Sequence, residues 1–171
     1  MKLVVPAAVY EQSYREYITE LADEERYPFP LDFEHNDFEQ LLTRLNDFAE
    51  GCNLPDGYVQ SSTLWLVDDE QVVGVTNIRH RLNNAIRHCG GHIGLGIRPS
   101  YRGKGIGKQL MQMSIHYLAQ MNVSSIHIHC HKHNLASANM IKACAGILDS
   151  EITQAGLVVQ RFVVIPISIR S

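Results

Sequence analysis

Cysteine is sparse in this chain of 171 residues: Cys52, Cys89, Cys130 and Cys144 stand far apart and none forms a C-x-x-C pair. That spacing argues against disulfides and a zinc knuckle, and leaves free thiols as the expectation. Long apolar runs are missing as well. No segment approaches the roughly 18 to 20 residues that a bilayer-spanning helix needs, and Pro6 and Glu11 cut MKLVVPAAVYEQ short of a signal-peptide core. The expectation is a cytoplasmic protein with no membrane partner. Nor is there a basic excess: 15 Lys and Arg face 18 Asp and Glu, for a formal net charge of -3. This excludes a nucleic-acid surface and a polybasic patch, and favours small-molecule or protein partners. Repeats, low-complexity tracts and linkers are also absent, so residues 1–171 read as a single domain.

What is present is a mixed α/β order. KLVVPA reads as a short strand. YEQSYREYITELADEER carries Tyr14, Tyr17, Ile18 and Leu21 at helical spacing, and DFEQLLTRLNDFAE does the same with Phe38, Leu41, Leu42, Leu45 and Phe48, with Gly51 placed to cap its C-terminus. Between them, YPFPLDF is broken by Pro28 and Pro30. A hairpin is expected from Leu64–Val67 and Val72–Ile78 about the turn-prone Asp68-Asp69-Glu70. GGHIGLGIRP reads as a strand ending at Pro99, whose glycines imply weak pairing or the close approach of a ligand. A helix follows from about Gly105 to Met121, then the strand IHIHCHKH, a helix over ASANMIKACAG, and the strands ILDSEIT and RFVVIPIS.

The chemistry concentrates where a strand meets a helix, in GIRPSYRGKGIGKQLM. Gly103, Gly105 and Gly107 let the backbone curl and turn its N–H groups outward, and the start of the helix adds partial positive charge. Such a turn cradles phosphate, and Arg102, Lys104 and Lys108 supply cations around it. The spacing fits neither a nucleoside-triphosphate loop, since Gln109 stands where a hydroxyl residue is needed, nor the dinucleotide fingerprint G-x-G-x-x-G.

The segment instead resembles the [RQ]-x-x-G-x-[GA] signature of the GNAT N-acetyltransferase superfamily, here Arg102-Gly103-Lys104-Gly105-Ile106-Gly107. IRPSYRGKGIG is also similar to the family's V-x-P-x-x-R-G-x-G-x-G, with Ile97 in the valine place, and Asn134-Leu135-Ala136-Ser137 stands where the family has N-x-x-[AS]. The likeness covers about residues 58–168 well and the first helices loosely. GGHIGLGIRPS looks closest to a subgroup of bacterial predicted acetyltransferases.

The resemblance implies an α/β fold, with an α+β mixed sheet whose two central strands splay apart between flanking helices. It implies acetyl-CoA as co-substrate, with no metal, and direct transfer of the acetyl group to a primary amine of a small molecule or peptide; a homodimer is compatible with it. Backbone groups of Leu95 to Ile97 would meet the pantetheine arm, the amides of Gly103 to Lys108, Ile106 included, the pyrophosphate, and Asn134 and Ser137 the arm from the other side. Asn134 also suits a helix N-cap. The family's usual proton-donating tyrosine falls on Ile141, so the acid is missing from its place. Tyr101, His92, His129 and His131 are candidates to replace it, and His92 leads as the base because imidazole titrates near neutral pH. A non-catalytic acyl-CoA-binding or sensing domain is the alternative. Acceptor specificity is expected from ERYPFPLDFEHNDF and NIRHRL, whose Asp32, Glu34 and Asp37 read as solvated helix-flanking carboxylates.

His127, His129, His131 and His133 invite a metal reading. On a strand, same-face residues lie about 6.6 to 7 Å apart, so four alternating rings cannot share one ion, and the run offers no carboxylate or second cysteine to complete a site. It reads as the second wall of the slot, with Ile126, Ile128 and Cys130 facing one layer and the histidines the other.

Overall fold

The computed structural model describes residues 1–166, so Ile167 and Ser168 of the expected strand RFVVIPIS lie outside the described residues. Among the described residues, seven strands and five α-helices follow one another. The strands are β1 (Lys2–Val4), β2 (Ser61–Asp68), β3 (Gln71–Arg79), β4 (Ile93–Ile97), β5 (Ile126–His131), β6 (Ile147–Gln154) and β7 (Leu157–Val164). The helices are α1 (Glu11–Leu21), α2 (Phe38–Glu50), α3 (Asn84–His88), α4 (Ile106–Gln120) and α5 (Leu135–Ala143). The strands form two antiparallel sheets, ordered β1-β2-β3-β4 and β5-β7-β6.

Helices cover both faces of the first sheet, which explains why its central strands are apolar on both sides. Trp65 and Val67 of β2 point into a cluster with Tyr14, Tyr17, Phe38 and Leu41 of α1 and α2. Their neighbours Leu64 and Leu66 point the other way, toward Met111, Leu118 and Leu110 of α4. Tyr14 stacks on the fully buried Trp65 at 5.0 Å between ring centres. Side chains buried to this degree contribute roughly 1.5–3 kcal/mol each.

Local chemistry sets the boundaries. Asp37 caps α2 by accepting from the Gln40 N–H at 3.1 Å, and Gly51 ends the helix with φ +73. The β2–β3 turn places Asp69 and Glu70 at φ +42 and +67, the conformation a two-residue hairpin favours. The structure departs from the sequence-based expectation in several places, among them β2, which begins at Ser61, and β4, which begins at Ile93. α1 stops at Leu21, where Ala22 takes φ +45, so residues 22–28 leave the helix. β7 starts at Leu157 because Ala155 and Gly156 turn the chain at positive φ directly after β6. The short α3 had no apolar period to announce it, and is started by Asn83 accepting from the Ile86 N–H.

The two sheets meet at one place. Gly91 bridges to Ile128, and the His92 N–H donates to the His127 carbonyl at 2.7 Å. Gly91 has φ +72 and would hold a Cβ only 2.6 Å from that carbonyl, so a side chain there would force the sheets apart. Beyond this crossing β4 and β5 are each the edge of their own sheet, and nothing pairs with the facing edges.

Candidate functional site

The glycine turn is built as an anion cradle. Gly103 and Gly105 hold φ of +73 and +78, and a Cβ on either would meet nothing within 4 Å. The left-handed backbone is therefore what requires glycine at both positions. Gly107 answers to packing instead, because its Cβ would stand 3.1 Å from Met140 Sδ of α5. Among the described residues, the N–H groups of Gly103, Lys104, Gly105, Ile106, Gly107 and Lys108 have no hydrogen-bond acceptor. The first turn of α4 contains neither a side-chain cap nor an acidic residue. Six consecutive unpaired donors at a helix N-terminus form a ready receptor for phosphate oxygens.

Two of the cations expected around the turn are already engaged. Arg102 donates to the Ile97 carbonyl at 2.9 Å and grips the Glu24 carboxylate at 2.7 and 3.1 Å, which holds Glu24 below the usual carboxylate range. Lys104 donates to the Ser100 carbonyl at 3.0 Å and lies over the Tyr101 ring. Arg102 thus ties the loop to the segment after α1, rather than standing free for a ligand. Two further links run parallel to it: buried Arg98 donates to Glu20 at 2.7 Å and pairs with Glu16 at 3.4 Å, and the Ser100 N–H donates to Glu20. Glu16, Glu20 and Glu24, four residues apart, face Arg98, Ser100 and Arg102, two apart.

From the turn, the open edges of β4 and β5 lead into a cleft of about 320 Å³. Leu95 lines it from β4 and His129, Cys130 and His131 from β5, with Asn134 and Ser137 at the start of α5. Ile97 is not in the lining; it packs beside Leu66 and Leu110. The Asn134 Oδ1 accepts from the Ser137 N–H at 3.1 Å, which makes Asn134 the N-cap of α5 and leaves its amide NH₂ to donate. Tyr101 is absent from the lining.

The three histidines singled out in the sequence have different surroundings. His92 is buried outside the lining, with Nδ1 accepting from the His127 N–H at 3.0 Å. Burial, helped by His127 and Arg87, takes its pKa down to about 4. His129 lines the cleft and is also buried, with Nδ1 accepting from the Gly90 N–H at 2.9 Å and a pKa brought by burial to about 4. Its Nε2 is enclosed without a partner. With Nδ1 accepting in both rings, the proton is assigned to Nε2. His131 is exposed at the cleft mouth, stacked on His133 at 5.4 Å. Ile126 and Ile128 face the α4 and α5 layer. Among the described residues, no group of three or more His, Cys, Asp and Glu comes together as a metal site. Ile141 is fully buried in the core under α5.

Cys89, Gly90 and Val159 also line the cleft without a role assigned from the sequence, as do Glu25 and Tyr27, which follow α1 and open the stretch expected to meet the acceptor. The signal for Tyr27 was the pair Gly94 and Gly96. A Cβ at Gly94 would stand 2.9 Å from the Tyr27 hydroxyl, and one at Gly96 would collide with the Tyr27 carbonyl oxygen. What approaches β4 so closely is thus the chain's own Tyr27, lying along the strand from Gly96 to Gly94. Tyr27 and Glu25 also border a second cavity of about 790 Å³ with Arg26, Phe29, Asp32, Arg44 and Tyr58, so the cleft opens toward the segment expected to meet the acceptor.

Comparison with known proteins agrees with this geometry. Residues 13–146 match the family model described as the acetyltransferase (GNAT) family. No curated protein sequence is matched. Among solved structures, the fold is shared with a ribosomal-protein-S5-alanine acetyltransferase from Vibrio fischeri, at 16% identity and TM-score 0.72 over 95% of this chain and 91% of that one. It is shared also with RimL, a ribosomal L7/L12 α-N-protein acetyltransferase in complex with coenzyme A, at 16% identity and TM-score 0.71 over 95% and 92%. A third is a point mutant of the spermidine N-acetyltransferase SpeG from Vibrio cholerae, at 14% identity and TM-score 0.66 over 96% and 95%. At such identities the likeness is one of fold.

Proposed function

Because the chain belongs to the GNAT acetyltransferase family, as the match over residues 13–146 shows, we propose that it moves the acetyl group of acetyl-CoA directly to a primary amine of a small molecule or peptide. The observation that carries this reading is the run of six unpaired N–H groups, Gly103 to Lys108, at the head of a cleft between two open strand edges. A pyrophosphate on the turn sends an extended thioester arm along β4 into the cleft. The unpaired edge at Leu95 to Ile97 offers N–H groups to the thioester oxygen, which gains charge as the amine attacks; donors held in place in this way stabilise that charge without reorganising. Asn134 donates to the arm from the opposite wall.

The amine must shed a proton. His92 led on sequence grounds, but its Nδ1 lone pair is committed to the His127 N–H, which makes it a clamp between the sheets in this reading. His129 is committed in the same way to Gly90. His131, at the cleft mouth, is the ring assigned to accept the proton, directly or through water.

Isothermal titration with acetyl-CoA, followed by thiol release over a panel of spermidine, lysine and peptides beginning with alanine or serine, tests the proposal. Saturable binding with turnover of at least one amine is the expected outcome. No heat at millimolar acetyl-CoA would sink it. Binding without any turnover would favour a sensing domain, a reading that rests on buried Ile141 at the usual tyrosine position.

A further inference from the structure

We propose that Tyr27, from the segment between α1 and α2, is the proton donor to the departing thiolate. The inference rests on the acetyl-transfer reading above and supplies the acid that Ile141 cannot. A thiolate leaving the cleft needs a donor near the β4 edge. The Tyr27 ring lines the cleft with Leu95, His129 and Asn134, and its hydroxyl lies against Gly94, two residues from the Gly96 backbone that its own carbonyl covers. No hydrogen-bond partner holds that hydroxyl among the described residues, whereas Tyr101, the loop candidate, is drawn away under Lys104 and Arg98. The placement depends on the bare glycine face of β4, because a side chain at Gly94 or Gly96 would displace the tyrosine.

The protonation state fits. Although 46% of Tyr27 is exposed, its hydroxyl lies against β4 at Gly94, and burial raises the phenol pKa, opposed by Arg79. The proton is thus present throughout the neutral range. Burial raises a thiol as well, as it does for Cys130 across the same cleft, so a thiolate formed here is more basic than in water and draws the phenolic proton. In the balanced step, the C–N bond forms, the C–S bond breaks with its electron pair passing to sulfur, and Tyr27 protonates that sulfur. The phenolate then recovers a proton originating on the amine, by way of His131 or water, so the tyrosine is unchanged after each turnover.

The test uses the full chain with acetyl-CoA and the fastest amine of the panel. Tyr27→Phe keeps the ring that fills the space over Gly94; we expect kcat to fall by about 100-fold or more while acetyl-CoA affinity and melting temperature stay unchanged. Replacing Tyr27 by a fluorinated tyrosine of lower pKa is expected to bring the alkaline limb of the kcat profile down toward neutral pH, which a packing role would not do. Unchanged kcat in Tyr27→Phe, joint loss of cofactor affinity and activity, or an unmoved alkaline limb overturns the assignment and leaves acetyl transfer standing. If the unaltered protein turns over no amine, the acetyl-transfer reading falls and this one with it.

Discussion

His92 and His129 show how little an imidazole's identity says until its neighbours are known. Each gives Nδ1 to a backbone N–H across the junction of the two sheets, and each is held neutral by burial, titrating near 4 in the folded chain against an ordinary 6.5. Between those values the unfolded chain binds more protons, so stability rises with pH across the window. It is fully present above about pH 6.5 and is lost as pH falls toward 4, by about 2 kcal/mol per ring at pH 5. Urea midpoints measured near pH 7.5 and pH 5 check this. In His92→Asn, whose Oδ1 stands where Nδ1 accepts from the His127 N–H, the acid loss is expected to shrink by one ring's share. The alternating run IHIHCHKH revealed a strand with one buried apolar face, which periodicity dictates. It did not reveal that His129 sits closed in while His131 stands open, because that difference comes from the segments folded over each ring.

At the level of the element, β4 is the most heavily constrained piece of the chain: five residues with β3 on one edge, an open cleft on the other, and Tyr27 laid along one face. Gly96→Ala is expected to push residues 22–28 off the strand, cutting kcat by about an order of magnitude or more, while acetyl-CoA still binds because the 103–108 turn lies on the other side of Pro99. Calorimetry beside steady-state rates separates the two effects. The glycines of β4 were legible in the sequence as a mark of close approach, and the approaching group was not, since Tyr27 lies nearly 70 positions away in a stretch without periodicity. The elements themselves were readable where physics is local: helices from apolar spacing in α2 and α4, the C-cap from Gly51, the strand-to-helix turn from Gly103 and Gly105; Asp37, read as a solvated carboxylate, proved to be the N-cap of α2. Where tertiary packing decided, as in the early stop of α1 after Leu21, local propensity ran on to Arg26.

Over the whole molecule, the glycine turn and the segment after α1 are mechanically joined. Glu16, Glu20 and Glu24, on α1 and just beyond it, are held by Arg98, Ser100 and Arg102, so the loop proposed to meet the pyrophosphate also fixes the start of the segment that carries Tyr27. Half-exposed pairs such as Arg102–Glu24 contribute little stability singly; their use here is registration. The meeting of the sheets at Gly91 and His92 alone has a further consequence, in the time domain. Amides of β3, hydrogen-bonded on both sides, open to solvent deuterium only with large-scale unfolding, whereas those on the free edges of β4 and β5 open through small local fluctuations. In the proposed complex, a thioester arm lying between the edges would supply the missing rung. Deuterium uptake in acetyl-CoA is therefore expected to slow along 93–97, 103–108 and 129–131 and to stay unchanged in the β6–β7 hairpin, so that the breathing of the junction becomes a direct gauge of occupancy.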